Sequence, residues 1–123
     1  MTEHSTNDPA AGTGDELLRV LSALANRHRL RVLAALTSER NYVSRLARDV
    51  GISRPLLHMH LQRLEAAGLV TGTLELSADG KAMKYFEVTP WALHLTPERI
   101  AEAVRSLTNQ EMDAGDRLEE GDR

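Results

Sequence analysis

Apolar positions recur along this chain at two different periods. Residues 15–25, DELLRVLSALA, place Leu17, Leu18, Leu21, Leu24 and Ala25 at helical spacing, with Asp15 positioned to cap the segment. Residues 27–39, RHRLRVLAALTSE, predict a second helix with Leu30, Leu33, Ala34 and Leu36 or Thr37 along one side. In YVSRLARDVG, Val43, Leu46, Ala47 and Val50 form an i, i+3, i+4, i+7 stripe, and Gly51 stands where a left-handed helix terminator belongs. Ser53 then caps a fourth helix with Pro55 in its first turn; Leu57, Leu61 and Leu64, helped by Leu56, are its buried stripe, and Gly68 ends it.

After Gly68 the period shortens to two. In LVTGTLEL, Val70, Gly72, Leu74 and Leu76 alternate with Thr71, Thr73 and Glu75. Asp79-Gly80 signals a hairpin turn, and KAMKYFEV returns with Phe86 and Val88 as its inward pair. Thr96-Pro97 opens a last helix as N-cap and first residue, with Ile100, Val104 and Leu107 as its apolar edge. The order is α-α-α-α-β-β-α. A short helix, a glycine-containing turn and a longer helix, followed directly by a hairpin, make a winged helix-turn-helix, mainly α with a small β-hairpin. One domain over residues 15–112 is expected, serving DNA binding and dimerisation. It lies between a polar, Pro- and Gly-interrupted tail over 1–14 and an acidic tail over 113–123, both expected to be disordered.

Charge sharpens this picture. The chain is −3 overall, but both tails are acidic, and residues 27–63 hold Arg27, Arg29, Arg31, Arg40, Arg45, Arg48, Arg54 and Arg63 against only Glu39 and Asp49. A local arginine excess between acidic ends suits phosphates. Composition excludes other classes. With no cysteine there are no disulfides, thiolate ligands or thiol redox chemistry. With no glycine-rich phosphate loop and no close carboxylate pair in an apolar setting, an enzyme is not expected, and no cofactor is implied. No apolar run reaches membrane-spanning length and no signal-peptide pattern opens the chain, so a soluble, cytoplasmic protein without a membrane partner is expected.

The phrases LLRVLSALANRHRLRVLAAL and VSRLARDVGISRPLLHMHLQRLEAAGLV resemble those of ArsR/SmtB-type bacterial transcription regulators, and the wing follows at the matching place. The resemblance spans roughly residues 15–108. It implies a homodimer joined by the first and last helices and control of a promoter through double-stranded DNA. It departs from the metal-sensing branch, which carries a Cys-x-Cys motif where this chain has NYVSR, or Asp and His ligands on a last helix that here, PERIAEAVRSLTNQEM, has no histidine.

The expected function is therefore a sequence-specific DNA-binding regulator, a repressor acting as a homodimer on a pseudo-palindromic operator, its effector unknown. Residues 53–67 would enter the major groove and the wing, 77–84, would reach the flanking minor groove. Arg54, Pro55, His58 and Gln62 are expected at base edges, since a guanidinium matches guanine O6 and N7 in bidentate fashion. Ser44, Arg45, Arg48, Ser53, Arg63, Lys81 and Lys84 are expected at the DNA backbone. Leu17, Leu21, Leu24, Ile100, Val104 and Leu107 are expected at the dimer interface. The HMH triplet invites a metal reading, but residues two apart on a helix point about 200° apart, so His58 and His60 cannot share one ion; no metal site is expected. Two alternatives stand beside this reading: a nickel- or zinc-responsive regulator using ligands such as His58 with His28 or His94, and a winged-helix protein-interaction module.

Overall fold

The computed structural model describes residues 7–108. The element order is α1 (Gly14–Leu24), α2 (Arg27–Ser38), β1 (Asn41–Tyr42), α3 (Val43–Val50), α4 (Arg54–Ala66), β2 (Val70–Leu76), β3 (Ala82–Val88) and α5 (Pro97–Val104). The strands form one antiparallel sheet in the order β1-β3-β2. The helix-turn-helix is α3 and α4, and β2 with β3 is the wing. The expected helices and hairpin are present, but the last helix ends at Val104, so Leu107 lies beyond it rather than on its apolar edge, and residues 109–112 of the expected helix lie outside the described residues. The sequence pattern missed β1, because two residues are too few to show an alternation; Asn41 and Tyr42 lie opposite Phe86 and Tyr85.

Side-chain caps set the helix starts. Asn26 accepts from the amides of His28 (2.9 Å) and Arg29 (3.1 Å), Ser53 from Leu56 (3.3 Å) and Thr96 from Arg99 (3.0 Å). The first helix is capped by Thr13 rather than by Asp15: Thr13 Oγ1 accepts from the Glu16 amide, and Glu16 returns the bond to the Thr13 amide at 2.9 Å. At the turn between α3 and α4, Gly51 has φ 83°, and its amide and that of Ile52 both bond the Ala47 carbonyl. A side chain there would strain the turn that aims α4.

The core is built from aliphatic residues, as the scarcity of aromatics implies. Val20, Val32, Leu46, Leu57, Leu61, Leu64, Leu69 and Val70 are essentially buried, and Phe86 joins them from the wing. The phase of α2 differs from expectation. Leu30 is 53 % exposed and Ala34 is exposed, whereas Val32, Leu33 and Leu36 face the core beside Arg29. An arginine on the buried side displaces the stripe that leucine spacing alone suggests.

The disordered tail expected over 1–14 requires correction at residues 7–14; residues 1–6 and the expected acidic tail over 113–123 lie outside the described residues. Asn7 bridges Trp91, with backbone bonds to Pro90 (3.0 Å) and Ala92 (2.9 Å). Asp8 bonds the Ala10 amide and pairs with Arg99 at 3.3 Å, and Ala10 is buried. Arg99 also donates to the Ala10 carbonyl. Gly14 then packs against α5 so closely that a Cβ would stand 2.2 Å from the Ala103 carbonyl oxygen. Its amide donates to Ser106 Oγ at 2.8 Å. A small, polar composition reads as disorder, but here the small residues permit close approach to α5.

Candidate nucleic-acid interface

Burial on α4 sorts its residues into two faces. Leu57, Leu61, Leu64 and His60 face the core, so Arg54, Pro55, His58 and Gln62 fall on the solvent side. Met59 is also exposed. The start of α4 opens onto a groove of about 230 Å³ lined by Tyr42, Val43, Ser44, Arg54, His58, Met83 and Lys84. The groove exists because β1 ends at Tyr42. The chain turns into α3 there, and β3 beyond Tyr85 is left without a neighbour on that side. Three elements thus bring Ser44, Arg54, His58 and Lys84 around one concavity. Lys84 belongs to β3, opposite Leu74, with Nζ 5.3 Å from the centre of the Phe86 ring.

The other expected backbone-contact residues are dispersed. Ser53 is exposed and serves as the α4 cap, while Arg48 is exposed in the last turn of α3. Lys81 lies in the wing turn, where its amide and carbonyl bond Ser77. Arg45 pairs with Glu39 at 3.0 Å, both exposed. Arg63 sits on another flank of α4, beside Arg19 and Ser22 of α1 and outside the Arg54 groove.

Two arginines of the basic run have structural work that composition conceals. Arg29 is buried; Nε donates to the Ala23 carbonyl (2.7 Å), Nη2 to Ser22 (3.3 Å) and Nη1 to Nδ1 of His60 (3.1 Å). It therefore satisfies carbonyls at the end of α1 and places positive charge at the negative pole of that helix. Arg40 makes a bidentate pair with Glu75 of β2, Nη2 to Oε1 at 2.9 Å and Nη1 to Oε2. Its guanidinium lies 4.4 Å from the centre of the Tyr85 ring, and Tyr42 meets Tyr85 edge-on at 5.6 Å. That cluster went unseen in the sequence because only the strand register brings residues 40, 42, 75 and 85 together.

The expected dimer-interface residues also separate. Leu17 is buried and lines the floor of an apolar groove between α1 and α5, whereas Leu24, partly buried against the core, lies outside that groove. Leu21, Ile100, Val104 and Leu107 line the same groove, of about 130 Å³, joined by Leu18. Val104 is 55 % exposed and Ile100 44 %.

A helix-turn-helix domain family model matches residues 24–73. An uncharacterised HTH-type transcriptional regulator of Methanocaldococcus jannaschii is 27 % identical over 85 residues, covering 69 % of this chain and 88 % of that protein. The crystal structure of NolR from Sinorhizobium fredii is 33 % identical with a TM-score of 0.52, covering 61 % of this chain and 70 % of the other. The homodimeric winged helix-turn-helix fragment Mb0332 of Mycobacterium bovis, a possible ArsR-family regulator, is 25 % identical with a TM-score of 0.54 over 86 % of this chain and 84 % of its own. The chain belongs to the ArsR/SmtB-type winged helix-turn-helix transcription regulators.

Within that family the histidines of this member take separate places. His58 is exposed at the groove, whereas His60 is 4 % exposed on the opposite side of α4. Because a guanidinium only donates, Nδ1 of His60 is the acceptor, and the neutral ring carries its proton on Nε2. Burial, with the Arg29 charge next, pushes the His60 pKa below its ordinary value. The ring 5.6 Å away is His28, so the residue beside His28 is His60 and not His58. Among the described residues no three His, Cys, Asp or Glu side chains converge as a metal-holding group. None of the described helices is long and apolar enough to cross a membrane.

Proposed function

We propose that this chain is a sequence-specific DNA-binding regulator that represses transcription as a homodimer on a pseudo-palindromic operator. The single observation that carries the reading is the groove in which Arg54 and His58 of α4 meet Ser44 of α3 and Lys84 of the wing. Residues 53–67 enter the major groove, and Arg54, Pro55, His58 and Gln62 read base edges. Ser44, Ser53, Arg48 and Lys84 hold the flanking phosphates, and Lys81 carries the wing turn, within 77–84, to the adjacent minor groove. Arg45 and Arg63 contribute from the periphery, Arg45 once it leaves Glu39. Residues 15–112 act as the DNA-binding and dimerisation domain, with the 7–14 segment packed onto it. No catalytic step or resident cofactor belongs to this function.

A second copy of the chain covers the α1–α5 groove. Leu18, Leu21, Ile100, Val104 and Leu107 make an apolar strip that a single domain leaves in water, and a two-fold axis would pair it with itself. The Mycobacterium bovis fragment, itself homodimeric, supports self-pairing as such. Two copies of α4 would then address two half-sites.

The experiment is selection of bound fragments from random duplex DNA, followed by affinity measurements across a salt series. A shared, two-fold-related motif with affinity falling steeply in salt is the expected result. Recovery of unrelated fragments, or binding insensitive to salt, would overturn the reading.

A further inference from the structure

The outer half of the wing has little to hold it. Hydrophobic packing on the sheet ends near Val70 and Phe86, while Leu74 and Leu76, further out on β2, are 68 % and 76 % exposed. A two-stranded ribbon without a packed face is marginally stable and free to change its angle. Against that background, the Arg40–Glu75 pair reaches from the α2–β1 connection across β3 to β2. Glu75 stands opposite Met83, one residue from Lys84, and both Met83 and Lys84 line the groove at the start of α4. Tyr85 lies under the Arg40 guanidinium and is braced edge-on by Tyr42.

We propose that the Arg40–Glu75 pair, stacked on Tyr85, is a positioning device that fixes the angle of the wing to α4, so that Arg40 serves DNA binding without touching DNA. The inference rests on the DNA-binding reading given above. A planar fork on a carboxylate constrains direction as well as distance, which a single lysine contact does not. Both partners are partly exposed, at 45 % and 37 % of their side-chain surface. Exposed pairs add little to stability, so the gain here is geometry rather than folding energy. The Arg40 hydrogen bond also holds the Glu75 carboxyl below the usual carboxylate range, so the pair stays ionised throughout the neutral range.

The test turns on a difference of sign. Glu75→Ala deletes a negative charge from an element that faces DNA. If Glu75 and Arg40 act only through charge, the variant binds DNA more tightly, because Arg40 is released and a repulsion is lost. If they position the wing, it binds the selected operator more weakly, by roughly tenfold, the scale of a lost coupled contact. Hydroxyl-radical protection of the minor groove flanking the site should fade, while major-groove protection from α4 persists. The melting temperature should stay near that of the wild type, and Glu75→Gln should behave as Glu75→Ala does. The exchanged pair Arg40→Glu with Glu75→Arg keeps the net charge and should regain most of the affinity and the flanking protection. Equal or tighter binding by Glu75→Ala with flanking protection intact overturns the positioning role alone. Absence of salt-sensitive duplex binding by the wild type overturns that role together with the DNA-binding reading.

Discussion

At the scale of single residues, similar side chains do different jobs according to where the fold puts them. Arg54 opens onto the groove, Arg29 closes the end of α1, and Arg40 grips Glu75. Arg54→Ala is therefore expected to weaken the preferred site by roughly 1–3 kcal/mol and to relax selection at one base pair. Lys84→Ala should instead weaken all duplexes alike and flatten the salt slope. Binding isotherms on selected and random DNA separate the two effects. The histidines divide likewise. His58 is exposed, so His58→Ala should alter base preference with melting nearly unchanged, within about 0.5 kcal/mol of wild type. His60 has a lowered pKa in the folded protein, so the unfolded chain takes up its proton first as pH falls. Stability should accordingly decline as pH drops below about 6.5, and His60→Gln should remove that part of the slope. Melting curves between pH 7.5 and pH 5 check this, and identical slopes in both proteins would refute the assignment.

At the scale of elements, the helix-turn-helix was legible because its signals are local. The stripe of Leu57, Leu61 and Leu64, the Ser53 cap and the positive φ of Gly51 each depend on neighbours a few residues away. The exposed face of α4 followed from the same periodicity, and with it Arg54, Pro55, His58 and Gln62. What escaped depends on distant partners. The two-residue strand β1 exists only through pairing with β3, the 7–14 segment is ordered by α5 and Trp91, and the phase of α2 is turned by an arginine whose partners lie on α1 and α4. Leu57 is fully buried on the core side of α4. Leu57→Ala should cost about 2–5 kcal/mol, measurable by urea unfolding, because its packed surroundings cannot collapse fully. Little change in the unfolding midpoint would show that α4 is held otherwise.

At the scale of the whole molecule, the apolar strip on α1 and α5 and the groove at α4 are separate surfaces, which suits a protein that pairs with itself through one and meets DNA through the other. Val104→Asp should shift the protein toward monomer in sedimentation experiments and weaken operator binding, since one half-site would be lost, while leaving each monomer folded. Everything in the proposed function depends on the α4 groove reading DNA. The most direct measurement is the affinity of wild type and Arg54→Ala for the selected operator and for random duplex, each as a function of salt. Wild type should prefer the operator strongly, both affinities should fall steeply with salt, and Arg54→Ala should lose roughly 1–3 kcal/mol of operator preference while keeping its affinity for random duplex to within a few-fold. Equal affinity of the wild type for both duplexes, or an Arg54→Ala protein with undiminished preference, would contradict that reading.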